Sequence, residues 1–451
     1  MSPSPAPASA PPARGGRLAV LVVGLCWLVV FFDGLDMFVY GAELPHMLEH
    51  KALGLVPDQA GDLGSYATFG MLIGALSAGT VTDWIGRKKV ILTCTAVFSL
   101  ASALCALAPS IGVFGLGRFI AGLGLGGLLP TTITMVSEYA PRGRGALIVG
   151  TLMTAHQAGG IMAGFLGLWT SGPDGWRVAY WVCVIPLLVG VPLVARFLPE
   201  SMRFLIAKGR VEEARALADR YDVELPVAAT ERPATGDRWS AVASLFRGNL
   251  WRTTALFWLA SFCGLLLVYG VSNWLPTMMR GAGYELGSSL SFLIVINLGG
   301  IVGMLVAGRC ADRYGAARIA TIWFACTAVG VYLLGIHMAL PVTYTVVFLT
   351  GMFLFSAQAM IYATVAGRST DADRATALGW VSGIGRFGAV FGPWLGGQLV
   401  ASGSEGWGFT AFAVAAVLAT VFVALSQAKA RPARPASAET HPKHPVSDSR
   451  G

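Results

Sequence analysis

Twelve times along this chain a run of roughly 20 apolar residues recurs, and no other feature limits the possible folds so sharply. Each run is long enough to cross a hydrocarbon core about 30 Å thick as a helix. The approximate spans are 18–40, 63–82, 89–108, 111–137, 146–169, 177–198, 252–275, 287–307, 318–338, 341–366, 377–400 and 407–427. The runs are continuous, whereas barrel strands alternate apolar and polar residues, so helices are expected. Composition agrees: 55% of the 451 residues are hydrophobic and 12% are charged, against about 25% charged positions in a soluble domain. The expected fold class is an all-α membrane protein of twelve transmembrane helices.

The net charge of +8 would suit a polyanionic partner, but its distribution argues otherwise. With the N-terminus placed inside, 27 of the 32 Lys and Arg fall in the cytoplasmic segments. Lys51, Arg177 and Arg280 fall in outer loops, and Arg118 and Arg386 within helices. That asymmetry is the positive-inside rule, so the basic residues set orientation and no nucleic-acid partner is expected. Both termini are placed in the cytoplasm. The cysteines show no outer-loop pair and no metal-ligand spacing, so neither disulfides nor a metal site is expected. Residues 1–17 form a Pro/Ala/Ser tail without an apolar core, so they read as a disordered tail and not as a cleaved signal. Residues 428–451 read as a second disordered tail.

An internal repeat organises what lies between. Gly79-Thr-Val-Thr-Asp83-Trp84-Ile-Gly86-Arg87-Lys88-Lys89 follows the second span, and Gly308-Arg-Cys-Ala-Asp312-Arg313-Tyr-Gly315-Ala-Ala-Arg318 follows the eighth, 229 positions later. Arg144-Gly-Ala-Leu after the fourth span and Arg374-Ala-Thr-Ala-Leu after the tenth repeat at nearly the same offset. The expected units are a six-helix bundle over 18–200, a cytoplasmic loop over 201–251 and a second six-helix bundle over 252–427. Within the loop, Val211–Tyr221 reads as a short amphipathic surface helix. Parallel halves of this kind place a solute site at their interface.

The loop Gly-x3-Asp-x-x-Gly-Arg-Lys-Lys resembles the signature of the major facilitator superfamily. Gly117-Arg118-Phe119-x2-Gly122 and Pro199-Glu200-Ser201-x-Arg203-Phe204-Leu205 are similar to further motifs of that superfamily. Asp33-Gly34-Leu35-Asp36, Asn273-Trp274-Leu275-Pro276 and Gly385-Arg386-Phe387-Gly388 narrow the resemblance to the aromatic acid:proton symporters, which import benzoate-like and hydroxybenzoate-like anions into bacteria. The resemblance covers about residues 18–427. It implies two six-helix bundles related by pseudo-two-fold symmetry, the major facilitator fold, in a bacterial inner membrane. The implied activity is secondary transport of a small aromatic carboxylate with protons, by alternating access. A transporter of the same fold for a non-aromatic organic acid or a sugar-like solute is the alternative, suggested by the Pro-Glu-Ser-x-Arg motif. A sensor that binds without transporting would need a signalling domain, and none is evident.

Among the acidic residues, only Asp33 and Asp36 are expected well inside an apolar span, where a charge costs about 2.5–3.5 kcal/mol on insertion scales. They share a face of helix one at a depth similar to that of Arg118, which suits proton coupling; a static pair locking helix one to helix four is the other reading. Arg386 is expected near the midplane with no neutralising group on its own helix, where its planar fork would suit a substrate carboxylate. Pairing with Asp33 or Asp36 is the alternative. His156, Gln157, Gln358 and Asn297 could bind substrate or simply join helices. Phe38, Tyr40, Tyr269, Trp274, Phe355, Tyr362 and Trp380 are candidates to flank an aromatic ring, or else packing residues. Asp83, Gly86, Arg87, Glu138, Arg144, Asp312 and Arg313 are expected to form a conformational latch, with topology as an additional role of the basic residues. The second loop has Ala316-Ala317 where the first has Arg87-Lys88, so its latch should be weaker.

No phosphate-binding Gly-Lys-Ser/Thr loop exists, so no ATP, no catalytic residue and no cofactor are expected, and the proton gradient is the anticipated drive. Helix five has Gly159-Gly160 without the proline associated with drug/proton antiporters, which favours symport. The expected partners are the small carboxylate, protons and the lipid bilayer, with the chain acting as a monomer.

Overall fold

The computed structural model describes residues 13–140, 145–170, 172–221, 225, 250–369, 374–403 and 405–427. Arg144, most of both expected tails and most of 222–249 lie outside the described residues. The fold is helical throughout, with α1 (Ala13–Glu49), α2 (Pro57–Ile85), α3 (Arg87–Ala106), α4 (Ile111–Glu138), α5 (Gly145–Trp169) and α6 (Gly175–Phe197) in the first half. Two short helices, α7 (Met202–Ala207) and α8 (Val211–Tyr221), follow. The second half contains α9 (Leu250–Gly281), α10 (Leu286–Tyr314), α11 (Ala316–Leu334), α12 (Leu340–Arg368), α13 (Arg374–Ala401) and α14 (Glu405–Gln427).

The two halves repeat one packing scheme. In the first, α1 packs on α5, α2 and α3 on α4, and α3 on α6; in the second, α9 packs on α13, α10 and α11 on α12, and α11 on α14. The joints between consecutive helices repeat as well. Gly86 (φ 97°, ψ 160°) ends α2 and starts α3, and Gly315 (φ 87°, ψ 135°) does the same between α10 and α11. Only glycine enters that backbone region without strain, so the signature loop is first of all a turn.

Nine described helices are long and apolar enough to cross a membrane on length and composition alone. The other three crossings are α2, α5 and α13, each diluted by glycines and by polar residues such as His156, Gln157 and Arg386. Their positions explain the dilution. The halves meet through α2 with α13, α5 with α10, and α1 with α9. Close approach without a hydrophobic drive between helices requires small residues.

Along the bundle, one end carries the Gly86 and Gly315 joints and is here termed the basic face. At the opposite end the halves are in contact. A Cβ placed on Gly397 of α13 would stand 2.6 Å from the Cα of Gly61 on α2, and one on Gly41 of α1 would strike Ser272 of α9. Ser65 donates to Val390 O at 2.8 Å. Arg280 Nη1 lies 2.8 Å from Glu49 Oε2, an exposed ion pair that joins α9 to α1.

One expectation needs correction. Helix one was expected to end near residue 40, leaving Asp33 and Asp36 as its buried acids. The structure carries α1 on to Glu49, with Glu43 fully buried and His46 buried beside it. The Glu43-Leu-Pro45-His46 sequence reads as a helix end by composition. Here Pro45 is accommodated inside the helix, while Thr170 Oγ1 donates to Glu43 Oε1 at 2.6 Å and His46 Nε2 meets Gly167 O at 2.9 Å. Contacts with α5 therefore hold a segment whose composition favours a turn.

Candidate functional site

Asp33 and Asp36 share a helix but have different surroundings. Arg118 Nη1 lies 3.4 Å from Asp36 Oδ1 and 3.4 Å from the Asp36 backbone oxygen, while Ser102 of α3 donates to Asp36 Oδ2. The guanidinium carbon stands 5.0 Å from the centroid of the Tyr40 ring. Both charged side chains are at most 2% exposed, so this is a compensated ion pair sealed within the first half. Tyr40 turns its hydroxyl to Ala60 O at 2.6 Å, which makes it a packing group and a platform for Arg118.

Asp33, also buried, has no such partners. Neither of its carboxylate oxygens accepts a hydrogen bond among the described residues. His156 Nε2 of α5 is 3.9 Å from Asp33 Oδ2, and the Arg386 guanidinium acts on both Asp33 and His156 electrostatically. Gly34 fixes this spacing, because any Cβ there would run into the His156 backbone. Phe38 packs edge-on against His156 at 5.4 Å and against Phe355 at 6.3 Å, which joins the two halves through aromatic rings.

Arg386 sits mid-way along α13. Among the described residues its hydrogen bond is from Nη1 to the Tyr269 hydroxyl of α9, at 3.3 Å. Arg386, Tyr269, Tyr362 and Trp380 line a cavity of about 830 Å³ between the halves. Small-molecule sites typically enclose about 300–1,000 Å³. Leu72 and Leu76 of α2 and Leu129, Pro130 and Ile133 of α4 make an apolar opposite wall. Trp380 stacks on Trp258 at 5.3 Å. The cavity extends toward the basic face, reaching Gly79 and Thr376, and away from the end where Gly61 meets Gly397. A cation at the inner end of an apolar, aromatic-walled chamber suits a flat organic anion.

The remaining candidates lie outside that lining. Gln157 is buried against Gly300 of α10, and Asn297 of α10 is buried against Gly160 of α5; each amide carbonyl lacks a partner among the described residues. Gln358 donates from Nε2 to Ser261 at 3.0 Å, so it joins α12 to α9. Trp274 donates to Pro393 O at 2.8 Å and is fully buried.

On the basic face, Arg87 Nη2 pairs with Glu138 Oε1 at 3.0 Å, and Ser201 donates to Glu138 Oε2. Glu200 accepts from the Lys88 backbone N–H at 3.1 Å. This cluster lies wholly within the first half. Gly86 is its turn, and Asp83, one turn earlier, also has an interaction partner. Arg313 lies over the neighbouring Tyr314 ring, and Asp312 is in the same last turn of α10. Ser102, Ser201 and Glu43 were missed by sequence reasoning. Ser102 carries no signal in a single sequence, Ser201 belongs to the Pro199-Glu200-Ser201 motif but was given no role, and Glu43 was hidden by the apparent helix end.

The chain matches the Major Facilitator Superfamily over residues 26–366 and 297–449. It is 34% identical to the benzoate transport protein of Acinetobacter baylyi, covering 90% of this chain and 88% of that protein. It is 35% identical to the gentisate transporter of Corynebacterium glutamicum, over 86% of this chain and 82% of that one. Among solved structures, the xylose transporter XylE from E. coli, in a partially occluded inward open conformation, superposes with a TM-score of 0.69. That match is at 19% identity and covers 90% of this chain and 99% of XylE, a likeness of fold. With its repeated six-helix halves, the chain belongs to the Major Facilitator Superfamily and is a multi-pass membrane transporter, not an enzyme.

Proposed function

We propose that this transporter imports an aromatic carboxylate of the benzoate or hydroxybenzoate type by proton symport, through alternating access, across a bacterial cytoplasmic membrane. The basic face is taken as cytoplasmic, with both termini on that side. The observation that carries the proposal is Arg386, held by Tyr269 at the inner end of a cavity walled by Tyr362, Trp380 and leucines. A guanidinium offers a carboxylate two parallel donors, and the aromatic wall offers its ring a face. The relatives named for benzoate and gentisate support the same substrate class.

Coupling follows from Asp33. A substrate carboxylate on Arg386 takes up positive charge that otherwise offsets Asp33, so anion binding and proton binding at Asp33 favour one another. Such linkage is reciprocal, and it is what a symporter needs. Asp36 and Arg118, compensated by each other, keep the neighbouring charge constant. Contact between the halves at the face away from the cavity fits one side of an alternating cycle. The basic-face group of Arg87 and Glu138, with Asp83, Gly86, Arg144, Asp312 and Arg313, is assigned to the latch that closes in the opposite state.

The test is uptake of radiolabelled benzoate and 4-hydroxybenzoate by cells expressing the protein, with and without a protonophore. Accumulation that the protonophore abolishes supports the reading. Competition by non-aromatic acids or sugars, with no effect of benzoate, would replace it with the alternative solute class.

A further inference from the structure

Glu43 is the one buried carboxylate of α1 that the proposed cycle does not use. It is fully buried, and Thr170 Oγ1 holds one of its oxygens at 2.6 Å. The other, Oε2, is buried with no partner among the described residues. No lysine or arginine pairs with Glu43 among those residues, and a buried carboxylate without a cation bears a large desolvation cost when charged. Of the groups packed around it, His46 is engaged with Gly167 O, and Thr170 is neutral. Asp36 lies seven residues earlier, on the same face of α1 and about 10 Å along its axis.

The space between these two acids is polar in a particular way. The buried Cys183 thiol of α6 is within electrostatic reach of Asp36, Arg118 and Glu43 at once. The Tyr180 hydroxyl, one turn earlier on α6, is within reach of Asp36 and Arg118 and is buried without a partner among the described residues. Buried polar atoms are rarely left unpaired, so Glu43 Oε2 and the Tyr180 hydroxyl call for a function. The substrate cavity runs toward the basic face, whereas Glu43 lies toward the closed one.

We propose that Glu43 is a further proton-carrying residue, set between the closed face and the Asp33–Asp36 pair, so that protons enter through the first half by a path separate from the substrate's. A proton leaves Glu43 Oε2 and is relayed along this face of α1 to Asp33. One carboxyl becomes a carboxylate as another is neutralised, and net charge is unchanged. The proposal rests on the symport reading above.

The experiment uses purified full-length protein in proteoliposomes, with benzoate as substrate and an internal pH dye. Glu43→Gln keeps the shape and an acceptor for Thr170. It should lower proton-driven benzoate uptake and the accompanying internal acidification about a hundredfold or more, the low end of what a positioned proton-transfer group contributes. Benzoate counterflow at equal pH should stay within about twofold of wild type, since exchange needs no net proton transfer. Unchanged proton-driven uptake by Glu43→Gln overturns the proposal, and so does a parallel loss of counterflow, which marks a structural role. Wild-type uptake with no proton movement would overturn the symport reading itself, and this proposal with it. Wild type also supplies a test without a variant. Dicyclohexylcarbodiimide adds to protonated carboxyls in apolar surroundings, so an adduct on Glu43 that increases as pH falls supports the proposal, and no adduct at any pH overturns it.

Discussion

His156 Nε2 faces Asp33 Oδ2 at 3.9 Å, across the packing of α5 against α1. Three residues along the same helix, Asp36 is instead bound by Arg118 and Ser102. Two acids of one motif thus have different physical situations: one is neutralised, and the other stands among groups that do not bond to it. Substituting them should have unlike consequences.

Asp36→Asn leaves the buried Arg118 charge uncompensated, a loss of about 3–5 kcal/mol for a broken buried pair. We expect a clear fall in the melting temperature of the detergent-solubilised protein and reduced membrane yield. Asp33→Asn removes no hydrogen bond, so its thermal stability should stay near wild type while proton-driven accumulation is lost. Equal melting temperatures for the two variants would contradict this division.

At Arg386, a charge-assisted hydrogen bond is worth about 1.5–3 kcal/mol. Arg386→Ala should therefore weaken benzoate binding by roughly 10- to 150-fold, and Arg386→Lys should recover only part of it, since an ammonium cannot present two parallel donors. Tyr269→Phe removes the hydroxyl that accepts from the Arg386 guanidinium, a charge-assisted bond, and should raise the apparent KM by up to about 10- to 150-fold. Binding measured by calorimetry or by scintillation proximity separates these effects from expression.

Gly397→Ala places a methyl group 2.6 Å from the Gly61 Cα in the closed end. Overpacking of this kind costs about 1–3 kcal/mol, and the cost falls only on the state in which α2 and α13 touch. The equilibrium should shift toward opening at that face by roughly 5- to 150-fold. Single cysteines near Gly61 should then react faster with a membrane-impermeant thiol reagent added outside.

The Glu49–Arg280 ion pair bridges the halves at the same end, but both side chains are more than a third exposed. Exposed pairs contribute about 0–1 kcal/mol. Arg280→Gln should change the uptake rate by less than about fivefold, and that difference should shrink in high salt. A larger effect would mean that this pair, and not the glycine contact, sets the closure.

How far the sequence reveals this protein depends on the length scale of each signal. Helix number and the repeat come from patterns 20 or more residues long, such as the paired Gly86 and Gly315 loops, and a single chain displays them fully. Arg386 stands out because an arginine among glycines and apolar residues is costly in a membrane. The separate environments of Asp33 and Asp36 were not legible, because they depend on which way α3 presents Ser102 and α5 presents His156. Glu43 was missed for a related reason: α1 extends past Pro45 where Gly167 of α5 and Thr170, just after it, hold it in place.

Gln157 and Asn297 fit into each other's helices as a matched pair, each amide lying in the notch left by the other's glycine, Gly300 and Gly160. Knob and notch are present on both helices, so the joint between α5 and α10 is unchanged when the two are exchanged. Among the described residues it nevertheless leaves two buried carbonyl oxygens without donors. Each such oxygen costs about 1–3 kcal/mol. A rearrangement of the halves that brings a donor to either oxygen recovers up to that amount, which offsets part of the cost of moving this joint.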